Sequence, residues 1–241
     1  RLWLLSCLGL LFVFAAQAHI NPQEANSQGA QNRVQFRENC DQATAQTDMA
    51  INNVRARLLT GGDVWWDTDD GRYVVPKVQP GEVERSSIFA GAVWLGGVDP
   101  AGNLKLAAQT YGSGGNNADF WPGPLTEIGT TEQETCATWD RFFKVTGAEI
   151  DEHLRNYQAA VEAGKPYSEA DIPKAVRGWP ARGNQYFFDV EGFELPDTRQ
   201  GLAGFFDRDG DDNYEPDDGD YPVIQVRGCE LTQYPDEMTF W

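Results

Sequence analysis

Between Asp207 and Asp220 eight of fourteen residues are carboxylates, offset only by Arg208, within the stretch FFDRDGDDNYEPDDGDYPVI (205–224). Like charges this close repel, and runs of this kind ordinarily stay solvated and unfolded. This run is bracketed by Phe205-Phe206 on one side and Tyr221-Pro222-Val223-Ile224 on the other, apolar anchors suited to a core. A hard cation would resolve the conflict. Calcium takes roughly six to eight oxygen ligands at about 2.3–2.6 Å, and a loop with acids at its first, third and fifth positions aims them at one point. Those positions are Asp207, Asp209 and Asp211. Asn213 at the seventh would offer its carbonyl, Glu215 stands at the ninth and Asp218 at the twelfth, with Asp220 as a reserve ligand. Calcium is therefore the expected cofactor, neutralising the repulsion so that loop 207–220 can fold.

The loop departs from a helix–loop–helix calcium hand in three ways. Asp212 occupies the sixth position, where glycine normally makes the turn, and the glycine comes earlier, at Gly210. The twelfth residue, Asp218, is shorter than the usual Glu. Pro216 and Tyr221-Pro222 would end any flanking helix. The run resembles the single calcium loops of dockerin and thrombospondin repeats more closely.

Other chemistry is sparse. Of two histidines, His19 would open the mature chain and His153 lies in a polar part of a helical stretch, and neither belongs to an HExxH or triad pattern. No GxSxG occurs, and GSGGNN (112–117) lacks the Lys-Ser/Thr ending of a phosphate loop, so it reads as a plain loop. The pairs Asp63/Asp67 and Asp189/Glu191 are of the type that flanks a glycosidic bond, but such pairs are frequent in any acidic protein. Trp65, Trp66, Trp121 and Trp179 could stack on sugar rings or fill a core. No catalytic constellation emerges.

The net charge of −18 excludes the basic footprint that nucleic acid requires and disfavours an anionic membrane surface. RLWLLSCLGLLFVFAAQA (1–18) reads as a signal peptide: Arg1, an apolar core from Leu2 to Ala15, and the small-x-small exit Ala16-Gln17-Ala18. It is short for a membrane anchor, so no span is expected in the mature chain. The absent initiator Met and the stop at Phe240-Trp241 read as an excerpt of a longer chain. After cleavage Cys40, Cys136 and Cys229 remain, and export permits a disulfide, for which Cys136 with Cys229 is the first candidate. The third cysteine could pair with one beyond the sequence.

The elements that must carry the loop are strands enclosing helices. Residues 19–48, rich in Gln, Asn and Ala, read as a polar flexible leader, and 49–241 as one β-rich domain. INNVRARLL, VWWD and RYVVPKV have strand character, and SSIFAGAVWLGGV joins NLKLAAQTYG through the turn Asp99-Pro100-Ala101-Gly102. Gly91, Ala92, Gly96 and Gly97 point to close backbone packing. A helical insertion is expected over about 131–178, comprising Thr131 to Phe143, Ala148 to Ala163, and a short helix opened by Ser168-Glu169-Ala170-Asp171. QYFFDVEGF and YPVIQV then restore strand character. The fold class is α+β, mostly β, an antiparallel, sandwich-like domain with a helical insertion.

NNVRARLLTGGDVWWD, RYVVPKV, SSIFAGAVWLGG, LKLAAQTYG, DFWPGPL, CATWDRFFKV and the acidic loop, in that order from Ile51 to about Met238, resemble the N-terminal regions of large exported proteins of Bacteroidota. These carry a C-terminal sorting domain for type IX secretion. The resemblance implies a multi-domain, adhesin-like protein, secreted or on the cell surface. It also implies the export machinery as partner through a downstream sorting domain, with a surface glycan or protein as a further ligand. It brings no catalytic residues. The expected function is a non-catalytic module stabilised by calcium. The alternative is a carbohydrate-binding module or part of a secreted glycan-active enzyme.

Overall fold

The computed structural model describes residues 40–108, 119–126, 130–196, 202–225 and 233–241. The signal peptide, residues 19–39 of the leader, the GSGGNN stretch and Cys229 lie outside them. All described residues belong to one compact unit, Asn39–Trp241. The domain therefore takes in the end of the stretch expected as leader: Cys40 is buried and β1 forms at Gln46–Met49.

β1 opens an antiparallel six-stranded sheet with β2 (Arg55–Leu59), β3 (Asp63–Val64), β4 (Tyr73–Val74), β5 (Ser86–Ile88) and β6 (Gly91–Ala92). Its order is β5-β4-β2-β3-β6, with β1 also on β2. Paired charges bind β1 to β2, because Asp48 holds Arg57 at 2.5 Å and Arg55 at 3.0 Å across the register Asp48↔Arg57. The run SSIFAGAVWLGGV breaks into β5, β6 and β7 (Trp94–Val98) instead of forming one strand. Gly91 marks one break: a Cβ there would lie 2.6 Å from the Trp65 ring, so the ring presses directly on backbone. β7 pairs with β8 (Leu104–Ala108) as a separate hairpin, closed by Gly102 N–H donating to the Asp99 carbonyl at 2.9 Å. Close packing at Gly96 and Gly97 does not follow, since within 4 Å their added Cβ atoms would meet only Leu106 and the Lys105 carbonyl, or nothing.

The helical part is longer than expected and interrupted. α1 (Gln133–Trp139) ends before β9 (Phe143–Thr146), and α2 (Gly147–Glu162) follows at once. Its capping box is Thr146 with Glu149, each side chain bonding the other's backbone N–H. The Ser168 position has no such cap and makes one 3₁₀ turn, Glu169–Asp171, before α3 (Lys174–Arg177). QYFFDVEGF, expected as strand, is helical as α4 (Phe187–Glu191). The Asn184 side chain causes this, bonding the Arg177 and Trp179 carbonyls at 2.8 Å and accepting from Tyr186 N–H at 2.9 Å. That turn buries Phe187 against Trp139 and Phe193 and leaves Phe188 half exposed.

β10 (Phe205–Phe206) and β11 (Tyr221–Pro222) form a two-residue ladder, and β12 (Glu237–Phe240) pairs with β9. Among the described residues helix and strand are nearly balanced, 21% against 24%, so the fold is mixed α+β with antiparallel sheets. The main core is helical in its surroundings. Trp139, Val145, Ile150, Val176, Phe187, Tyr214 and Met238 close around α2, and the six-stranded sheet contributes none of that cluster. No described helix is long and apolar enough to cross a membrane.

Candidate metal centre

The acidic loop hangs from a short ladder. Phe205 pairs with Pro222 and Phe206 with Tyr221, and the Phe206 and Tyr221 rings stack at 4.9 Å. Aromatic burial on both sides thus pins the loop ends. Asp207, Asp209 and Asp211 each present a ligand oxygen, all within 4.8 Å of one another. Their convergence is built by the backbone. The Asp207 carboxylate accepts from Gly210 N–H at 2.7 Å and Asp212 N–H at 2.9 Å, which wraps the chain around it. Asp209 accepts from Asp211 N–H at 3.3 Å, and Asp211 accepts from both nitrogens of Asn213, at 2.7 and 2.8 Å.

The sixth position behaves as the turn requires. Asp212 stands at φ +66°, the left-handed conformation that glycine would supply, and Asp is among the few residues that tolerate it. Glu215 lies in the field of its neighbours. Burial and then the charges of Asp211, Asp218, Asp209 and Asp217 push its carboxyl above the ordinary value. Asp218 is exposed in the 3₁₀ turn Pro216–Asp218 and does not join the three converging aspartates. For Asp207, burial works upward, yet the N–H groups of Asp212, Gly210 and Asp211 hold its carboxyl below the ordinary value.

Asp220, expected as a reserve ligand, takes a different place. It is 2% exposed, and its two oxygens accept from Arg208 N–H at 2.9 Å and Glu215 N–H at 3.0 Å. It staples the two ends of the loop from below. Its carbonyl meets His153 Nε2 at 2.8 Å, and His153 Nδ1 meets the Tyr167 hydroxyl at 3.1 Å, so the loop base is bonded to α2. Arg208 spans the gap above, donating to the Gly219 carbonyl at 3.2 Å and lying 4.9 Å from the centre of the Tyr157 ring. The rest of the loop leans on Gly183 (φ +79°), where a Cβ would come within 2.6 Å of Asn213 Oδ1, and on Tyr214 N–H donating to the Arg182 carbonyl at 2.7 Å. Asp220, Arg208, His153 and Gly183 are the residues that spacing did not single out for these parts. Burial of Asp220 needs the whole fold to be visible, though the tight Gly219-Asp220-Tyr221 sequence is a local hint.

The cysteine expectation is corrected. Cys136 is bonded to Cys40, not to Cys229, with Cα atoms 5.9 Å apart across 96 residues. Asp140, at the end of α1, completes that junction by accepting from Thr44 N–H at 2.7 Å, Ala45 N–H at 3.0 Å and the Thr60 hydroxyl. Burial raises its carboxyl, but these bonds, from Thr60, Thr44 and Ala45, bring it below the ordinary value.

Most of the carboxylates and tryptophans weighed for sugar chemistry are taken up in structural contacts, and Asp189 is exposed on α4. Asp63 is buried, Asp67 holds Arg72 at 2.6 Å, and Glu191 holds Arg141 at 3.4 Å. Trp66 and Trp179 are buried, and Trp65 meets Tyr73 edge-on at 5.3 Å. Trp121 is half-buried in an apolar cleft of about 290 Å³ with Phe120, Pro122, Trp139 and Phe240. Compared with protein-family models, curated proteins and solved structures, the chain finds no match in any of the three.

Proposed function

We propose that this chain is a non-catalytic module of an exported, adhesin-like cell-surface protein, and that its acidic loop takes up one calcium ion with a structural role. The observation that carries the reading is the convergence of Asp207, Asp209 and Asp211 in a loop whose sixth residue already adopts the turn conformation. Glu215 would complete the ligand set with the Asn213 carbonyl, and Asp218 would join it only after a movement of the 3₁₀ turn. The ion would neutralise a cluster in which each close pair of carboxylates costs on the order of 1–4 kcal/mol at a surface-like dielectric. It would thereby clip β10 to β11 and seat Tyr214 and Tyr221 in the core. The export half rests on the signal-like N-terminus and the resemblance to type IX cargo, with the sorting machinery as partner through a downstream domain. A carbohydrate-binding role would draw on the four tryptophans, and their buried or half-buried places lend it less support.

Thermal melting in calcium and in excess chelator tests the metal. Wild type is expected to melt several degrees higher in calcium, whereas Asp209→Ala melts near the chelated wild-type value and responds little to either condition. Identical wild-type melts under both conditions would rule the calcium reading out.

A further inference from the structure

The turn Arg182-Gly183-Asn184-Gln185 and α4 border a cleft of about 420 Å³ beside the acidic loop. That size lies within the roughly 300–1,000 Å³ of small-molecule sites. Its walls are held by the fold itself. The Asn184 side chain bonds three backbone groups, and Asn213, also in the wall, donates from Nδ2 to Asp211 Oδ2 at 2.8 Å. Phe187 is turned into the core, so Phe188, the next residue on the helix, faces out. It lines the cleft 50% exposed and makes no ring contact among the described residues. Arg182 and Glu194 line the same cleft, both exposed, and neither has an ion pair among the described residues. We propose that this cleft is a carbohydrate subsite, taking one neutral sugar ring with its apolar face on Phe188 and its hydroxyls bonded by Arg182, Gln185 and Glu194.

Bonding capacity, charge and backbone together select a neutral sugar. Arg182 only donates, Glu194 only accepts and Gln185 does both, whereas each sugar hydroxyl must donate and accept at once. Guanidinium and carboxylate are planar, two-pronged groups, which suits neighbouring hydroxyls on one ring. The C–H bonds on the apolar side of a sugar carry slight positive charge and meet the negative face of an aromatic ring. Arg182 and Glu194 cancel in charge, while Asp211 and Asp212 stand next to Asn213 in the chain. An anionic ligand would therefore meet the loop's carboxylates, and a cationic one would meet Arg182. The residues lining the cleft lie in turns, in coil and on α4, with no strand among them. An extended peptide would find no edge to pair with. Glu194 is the only carboxylate lining the cleft among the described residues, so the pair of acids that glycoside cleavage requires is missing and the cleft binds without cutting. None of the four tryptophans weighed above takes part. As a ligand site the cleft rests on the adhesin-like reading for its role, and its chemistry needs no calcium.

Saturation-transfer NMR on the full chain tests the proposal, with glucose, galactose and mannose as probes and glycylphenylalanine as the competing class. At least one hexose is expected to bind, at about millimolar strength for a single ring in an open cleft. Phe188→Leu keeps an apolar side chain but removes the aromatic face, and is expected to weaken binding by at least about fivefold, whereas Phe188→Trp retains it. Glu194→Ala is expected to weaken binding to a similar degree, which keeps the test decisive if one variant does not fold. Leu104→Ala, on β8 outside the cleft, leaves binding unchanged. Absence of transfer to all three hexoses overturns the proposal. So does hexose binding that neither Phe188→Leu nor Glu194→Ala weakens, or a cleft that takes glycylphenylalanine and no hexose. Each probe is run in calcium and in chelator. Hexose binding that persists in a protein whose melting ignores calcium sinks the metal reading and leaves the sugar site standing.

Discussion

His153 and Asp220 show how single residues read the burial beneath the acidic loop. Burial first, and then the positive charge of Arg208, push the His153 imidazole down to about 4 from 6.5, against the hydrogen bond to the Asp220 carbonyl. Burial first, with the charges of Asp207 and Asp209, pushes the Asp220 carboxyl up to about 6 from 3.8, against the N–H bonds from Glu215 and Arg208. The signs oppose. A depressed histidine is neutral in the fold where the unfolded chain is protonated, so its contribution is whole above 6.5 and drains away as pH falls toward 4. A raised carboxyl is protonated in the fold where the unfolded chain is ionised, so its contribution is whole below 3.8 and is lost as pH rises through about 6. Each amounts to a few kcal/mol, on the order of 2–3, so the two nearly cancel between roughly pH 4 and 6. In chelator, His153→Gln is expected to gain stability relative to wild type on acidification over that window, and Asp220→Asn to lose it. Denaturant unfolding across the window that gives three parallel curves would remove this account.

At the scale of elements, the contact that matters most is the one joining the chain's first described residues to α1. The Cys40–Cys136 bond is backed by Asp41 N–H donating to Gln133 Oε1 at 2.6 Å and by the bonds that Asp140 accepts from Thr44 and Ala45. Together they lay residues 40–45 along α1 and so deliver β1 to the edge of β2. Closing a loop of 96 residues restricts the unfolded chain substantially, and losing such a bond typically costs about 2–5 kcal/mol. Reduction, or the paired change Cys40→Ser with Cys136→Ala, is expected to lower the melting temperature and to speed amide exchange first over residues 40–49. An unchanged melting temperature would show that the side-chain bonds hold the strap without the disulfide.

At the scale of the molecule, the two halves of the proposal fit each other, because a calcium loop outside the cell would need only modest affinity. Protein recovered outside the producing cell is expected to begin at His19 by N-terminal sequencing, and retention of Arg1 would contradict export by cleavage. Part of the fold was legible from residues alone. The alternating Asp207, Asp209 and Asp211, the turn at Asp99 to Gly102 and the helix expected over Ala148 to Ala163 are local patterns, and local patterns survive into the fold because backbone geometry reads them directly. Short-range ambiguity limited the rest. QYFFDVEGF has too few residues to separate a period of 2 from one of 3.6, and Asn184 decided it by capturing carbonyls seven and five residues away. The partner of Cys136, the withdrawal of Asp220 into the loop base and the burial of His153 depend on which distant segments meet. By itself the sequence determined the acid spacing, the turn residues and the charge. The tertiary structure alone decided that Asp207, Asp209 and Asp211 converge while Asp220 withdraws into the loop base, because exposure and hydrogen-bond supply at Asp220 come from Arg208, Glu215 and α2, groups that spacing along the chain does not place.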